Sequence, residues 1–280
     1  MSKGLRFCLV LGVACVILGG GIAGAAVAMG ADRAIGLPLW SLDYDWDRSW
    51  DRSWDNGWPE AGEYSAGEFR DSGEGESYAG INKLDIDFAA GNIVVQSSEE
   101  KEIRIWTDNQ EHYRWFVEED TLKIDGPRKK AGYSDTKNTL YIQIPQDWLF
   151  EEVNIDMAAG NFYADELYAG DLSIEIAAGN VEIDGGRIGE LSVDMAAGRV
   201  SCRAEVRQDL DIDMTAGDVT VWMQGGQDEY NYDINCVLGN ITVGNTSYSG
   251  IGNKKEIDNH SDRKADIDCS AGNVTLKFEN

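Results

Sequence analysis

The side chains with the most chemical potential in this chain are carboxylates held at a fixed distance from a recurring glycine. Asp87, Asp156, Glu175, Asp194, Asp213 and Asp268 each stand four positions before a Gly, and Asp85, Asp211, Asp233 and Asp266 stand six before one. Oxygen-rich sets of this kind suit a hard cation, and Ca²⁺ held between Asp156, Glu175, Asp194 and Asp213 is the metal chemistry on offer. A basic partner surface would answer the same charges. The rival reading is a solvated face that keeps an exposed sheet soluble and discourages association between sheets. The Ca²⁺ β-roll signature G-G-x-G-x-D is absent. Glycosidases also work with paired carboxylates. Here, however, the acids recur at a structural period without an odd set of acid, His and Arg, so no catalytic residue is assigned. Nor is there a P-loop, a G-x-S-x-G or an H-E-x-x-H, and no cofactor other than calcium is expected.

A second candidate site precedes the repeats. In Trp46-Asp47-Arg48-Ser49-Trp50-Asp51-Arg52-Ser53-Trp54-Asp55-Asn56-Gly57-Trp58, tryptophan returns at every fourth position. In a helix, Trp46, Trp50, Trp54 and Trp58 would share one slowly drifting face with Asp and Arg beside it. Two uses fit: resting at a membrane–water interface, or docking a sugar ring or a partner protein.

These groups need elements to hold them, and the chain supplies three kinds. Phe7 to Met29 is apolar and uncharged, long enough to cross a bilayer. Lys3 and Arg6 precede it and acidic sequence follows, which places the N-terminus in the cytoplasm and the rest outside. The expected layout is a tail at 1–6, a transmembrane helix at 7–30, a largely disordered stalk at 31–80 and a β domain at 81–280. Gly20 and Gly24 form a G-x-x-x-G pair that could pack this helix against another. The alternative is a secreted protein, since Ala26-Val27-Ala28 resembles a signal-peptidase site near Ala28. From Glu60 to Gly80 the composition turns to Gly, Ser and Glu, a linker signature.

From Ile81 the period becomes two. Val153-Asn154-Ile155-Asp156-Met157, Leu172-Ser173-Ile174-Glu175-Ile176 and Leu191-Ser192-Val193-Asp194-Met195 alternate apolar and polar, as strands with one buried face do. Each leads into a corner, such as Ala158-Ala159-Gly160-Asn161, followed by a shorter apolar pair such as Val181 and Ile183. Gly160, Gly179, Gly198 and Gly217 lie 19 apart. A repeat of that length with a fixed bend predicts an all-β, single-stranded β-solenoid of about 19-residue coils with Ala-Ala-Gly-Asn corners. The Gly position suits a type II turn, and the Asn side chains would ladder along the stack. An antiparallel β-meander is the alternative. Residues 101–150 lack the corner and read as atypical capping coils. Residues 244–264 read as a polar surface loop.

Composition narrows the partners. A formal charge of −26 excludes nucleic acid, whose phosphates are held by Lys and Arg. His112 and His260 are the only histidines. Cys202, Cys236 and Cys269 show no C-x-x-C spacing and read first as small buried hydrophobes, with a disulfide between neighbouring rungs as the other possibility.

The run of corner-bearing coils, the strand Thr139-Leu140-Tyr141-Ile142-Gln143-Ile144-Pro145 and the N-terminal anchor together resemble a known bacterial family. It is a family of β-strand-repeat domains of unknown function that carries an adhesin label. The resemblance covers about residues 81–280. It implies an extracytoplasmic, solenoid-like β domain attached to the membrane, and no catalytic residues. The function expected is non-catalytic binding or sensing of cell-envelope or surface ligands, with a cell-wall polymer as the partner. The alternative is an accessory regulator of an envelope-stress response that acts through a membrane-protein partner.

Overall fold

Alternation with period two commits the chain to strands. The computed structural model describes residues 75–107, 113–126 and 139–279. The expected membrane helix at 7–30, with Gly20 and Gly24, lies outside those residues, as does the Trp46–Trp58 repeat. The described residues are all-β apart from one short 3₁₀ turn at Gln227–Glu229. In chain order the strands are β1 (Glu76–Tyr78), β2 (Lys83–Ser98), β3 (Ile103–Thr107), β4 (Arg114–Glu118), β5 (Thr121–Asp125), β6 (Thr139–Pro145), β7 (Leu149–Ala164), β8 (Leu167–Ile183), β9 (Gly186–Val206), β10 (Leu210–Gln224), β11 (Asn231–Val243), β12 (Thr246–Ile257) and β13 (Lys264–Glu279). They join in one sheet of order β1-β3-β6-β2-β7-β8-β9-β10-β13-β11-β12, with β5 against β2 and β4 against β5. β1 takes Glu76–Tyr78, at the end of the expected stalk, into the folded body by pairing antiparallel with β3.

The long strands stack in parallel and in register, corner upon corner. Gly91 faces Gly160, Gly160 faces Gly179, Gly179 faces Gly198 and Gly198 faces Gly217. That pairing rules out a meander for this part of the sheet and is compatible with a solenoid. Burial explains the bend. Leu172, Ile174 and Ile176 are buried before the corner, and Val181 and Ile183 after it. The step from Ile176 to Val181 is odd, so a straight strand would turn the second group to solvent. Bending at the corner returns both groups to one core.

The corner differs from the expected type II turn. Gly160 has φ of 131 and Gly198 has φ of 137, in degrees. Both lie well beyond the value of roughly +80° that a type II turn asks of its glycine. The ladder continues straight through them. In a parallel stack, backbone N–H and C=O groups point along the stack to adjacent coils, so the residues at the bend need no bond closed within the turn. Gly is demanded twice over. Apart from its φ, a Cβ added to Gly160 would lie 2.1 Å from the carbonyl oxygen of Gly91.

The two ends are closed differently. At the first, β5 pairs with the arm of β2 before the corner and β6 with the arm after it, so one coil is divided between two strands. β4 and β3 then add antiparallel edges. Capping by the described part of residues 101–150 therefore has a definite form. At the other end, β13 sits between β10 and β11, out of chain order. Residues 246–257, expected as part of a loop, are instead β12, antiparallel to β11. A terminal strand with little core to face needs no apolar alternation. Ile251 on it is accordingly exposed.

Candidate functional site

The register that buries Met157 turns Asp156 outward. The ladder then aligns Asp87, Asp156, Glu175, Asp194, Asp213 and Asp268 on successive strands, ending at Asn235. A second column runs through Asp211, Asp266 and Asp233. Unit charges about 5 Å apart in water repel by nearly 1 kcal/mol before salt screening. Protonation relieves that repulsion. Packing around the carboxyl of Asp156, reinforced by Glu175, Asp87 and Asp85, pushes its pKa up to about 7. Packing also raises Asp85, against the pull of Lys123. At the far end Asn235 donates from Nδ2 to Oδ1 of Asp268 at 2.9 Å, and Lys264 Nζ lies 2.6 Å from Oδ2 of Asp266. The structure thus brings Asp156, Glu175, Asp194 and Asp213 into one outward row. Among the described residues, no three His, Cys, Asp or Glu side chains converge on a point that would hold a metal ion.

The arm after the corner carries a different surface. Its first outward column is the amide ladder. Asn161 Nδ2 donates to Asn92 Oδ1 at 2.8 Å, and Asn180 Nδ2 to Asn161 Oδ1 at 2.9 Å. Two residues further on, Trp106, Tyr141, Val94 and Tyr163 form a row across β3, β6, β2 and β7, all at outward positions and half-buried. Trp106 and Tyr141 stack at 5.3 Å between ring centroids with an interplanar angle of 11°. Tyr163 is drawn the other way, its hydroxyl donating to Oδ2 of Asp184 at 3.1 Å. The hydrogen bonds its hydroxyl donates to Asp165 and Asp184 push its pKa up to about 12, so it is neutral in any ordinary medium.

Val94 is therefore the low floor of a notch between two tyrosines two strand spacings apart, about 9–10 Å. Thr139 and Asn92 flank the row on one side, Gln143 and Gln96 on the other. Such a notch offers apolar ring faces and amide donors and acceptors, with the carboxylates of Asp165, Asp184 and Glu182 confined to its Tyr163 end. Sequence reasoning missed it because its members come from four strands whose pairing is not local. One signal was available: Trp106 and Tyr141 occupy the polar phase of their alternations, where an aromatic side chain has no core to fill.

Comparison with known proteins follows the fold. Residues 81–203 and 150–277 each match the family described as Toastrack DUF4097. No curated protein matches the sequence. Among solved structures, the chain is similar to a "putative cell adhesion protein" from Clostridium sporogenes at 20% identity and TM-score 0.38, covering 74% of this chain and 97% of that one. It is similar to a "putative adhesin" from Bacteroides fragilis at 13% identity and TM-score 0.33, covering 72% and 95%. A "putative lipid binding protein" from Parabacteroides distasonis gives 12% identity and TM-score 0.31, covering 74% and 98%.

Proposed function

Because this chain belongs to the Toastrack DUF4097 family, whose repeats build a scaffold with broad exposed faces, we propose that it is a non-catalytic, membrane-anchored binding domain. Residues 81–280 form the solenoid, held outside the cytoplasm by the helix at 7–30. Its ligand is an uncharged glycan of the cell envelope or of a neighbouring surface. The observation that carries this reading is the notch over Val94 between Tyr141 and Tyr163. Sugar rings present apolar C–H faces that stack on aromatic side chains, and their hydroxyls pair with amides such as those of Gln96 and Gln143. A body of formal charge −26 repels anionic polymers, which leaves neutral saccharides favoured.

The test is retention of the purified full-length chain on insoluble neutral cell-wall polysaccharide, measured against Tyr141→Ala and Tyr163→Ala. An aromatic contact is worth about 0.5–1.5 kcal/mol. Each substitution should therefore weaken retention roughly two- to tenfold and leave the far-ultraviolet circular dichroism unchanged. Retention that is indifferent to both substitutions refutes the reading.

A further inference from the structure

Cys236 on β11 and Cys269 on β13 are Cα partners in the parallel ladder between these strands. Both side chains point into the core, with 0% and 3% of their surface exposed, and both are thiols in the structure. Adjacent strands lie about 4.8 Å apart, inside the roughly 4.4–6.8 Å that a disulfide spans between Cα atoms. Cys202 provides the contrast. It is equally buried, but its ladder partners are Ile183 and Val221.

The pair also occupies a particular place in the topology. β13 enters between β10 and β11 after the β11–β12 hairpin has been laid down in the sequence. A bond at Cys236–Cys269 would hold it there.

We propose that Cys236 and Cys269 are joined by a disulfide in the mature protein, formed as β13 takes its slot, and that this bond secures the out-of-order seating of the strand. The chemistry is thiol–disulfide exchange with a small-molecule or protein disulfide as oxidant. One cysteine thiolate attacks the oxidant and expels one thiol. The second cysteine then attacks the mixed disulfide and expels the other. The chain loses two protons and two electrons, and the oxidant leaves as two thiols. Timing follows from burial. Once β13 is seated, burial, with Cys236 adding to it, pushes the Cys269 thiol up to about 12. So little thiolate remains that exchange is slow. Oxidation therefore belongs to the period before the slot closes, and a finished bond is shielded from reductants.

The bond needs an oxidising compartment, so it rests on the extracytoplasmic placement proposed above, and two samples separate the two claims. In the first, the full chain is reduced in denaturant, refolded in a glutathione redox buffer, denatured again, alkylated and digested without reduction for mass spectrometry. The expected product links the Cys236 and Cys269 peptides and leaves Cys202 alkylated. Refolding with excess reductant should lower the melting temperature by about 10 °C. Cys269→Ala should abolish that difference, and Cys202→Ala should retain it. Free thiols at both positions after oxidative refolding, or pairing scrambled onto Cys202, overturns the proposal. The second sample is chain extracted from cell envelopes under immediate alkylation, which should show the same linked peptide. A pair linked on refolding but free in the extracted chain overturns the placement, and with it the bond in the cell.

Discussion

Asn161 donates from Nδ2 to Oδ1 of Asn92 at 2.8 Å, although 69 positions separate the two in the chain. The same side chain accepts from Asn180 on the other side, so one amide serves two coils. Asn161→Ala breaks both bonds. These amides are exposed and regain water, so the expected loss is about 1 kcal/mol of unfolding free energy. Equilibrium denaturation of the two forms measures it. Asn161→Asp should be intermediate, because it keeps the acceptor for Asn180 and loses only the donor to Asn92.

The corner glycines should be far less tolerant. In Gly198→Ala the new Cβ would meet the carbonyl oxygen of Gly179 at 2.0 Å, on a residue with φ of 137°. Backbone strain and overpacking together should cost about 3–5 kcal/mol. Gly80→Ala supplies the control. Gly80 also has positive φ, 72°, but no atom lies within 4 Å of the added Cβ. It should cost about 1 kcal/mol. Similar losses at both sites would mean that conformation alone, without the close approach of coils, accounts for the glycines.

The acidic column makes stability depend on pH with a definite sign. The carboxyl of Asp156 titrates at about 7 in the folded chain and near 3.9 when unfolded. Between those values the folded state holds the extra proton. The contribution is thus fully present below about pH 4 and lost as pH rises through about 7. Asp156→Asn should raise the melting temperature at pH 8, change little at pH 4, and do less in high salt. Screening at this exposed site limits the gain to about 1 kcal/mol or less. If calcium occupies the Asp156–Glu175–Asp194–Asp213 row, millimolar calcium should raise the melting temperature at pH 8, and Asp156→Asn should shrink the rise.

Stack order predicts the effect of truncation. Were the coils seated in chain order, removing the last would merely expose the one before it. Here a chain stopped before Lys264 lacks the strand between β10 and β11, and both lose their ladder partner on that side. Size-exclusion chromatography should show aggregation of such a chain rather than a slightly smaller monomer. A soluble monomer with all other strands intact would mean that β11 can close onto β10 directly.

Much of this could be read from the sequence because it is local. Met157 faces in and Asp156 out because alternation is a property of adjacent residues. Gly160, Gly179, Gly198 and Gly217 mark their own corners, and the Asn ladder follows once the coils are aligned. The order of the last coils could not be read. Ile234-Asn235-Cys236 and Ile267-Asp268-Cys269 carry nearly the same pattern, and either would fit beside β10. The choice falls to β12, which stays with β11 as a hairpin and occupies the outer edge, and its mixed polar sequence does not announce a strand. The aromatic row stayed hidden for a related reason. Val94 becomes the floor of a notch only when β2 lies between β6 and β7, and no short-range pattern specifies that placement.

The row of Trp106, Tyr141, Val94 and Tyr163 spans β3, β6, β2 and β7, and β1, where the described chain begins, is the next strand beyond β3. A polymer gripped at the notch and pulled against a tether upstream of β1 would load only those few strands. Tension would pass from β1 into β2 along the residues that join them, 79–82, and across the ladders to β6 and β7, and the coils from β8 to β12 would lie outside the path. Such a body would yield first at the short β1–β3 pairing, three residues from Glu76 to Tyr78. The repeats beyond would remain folded, and the chain, still continuous from β1 into β2, would stay attached.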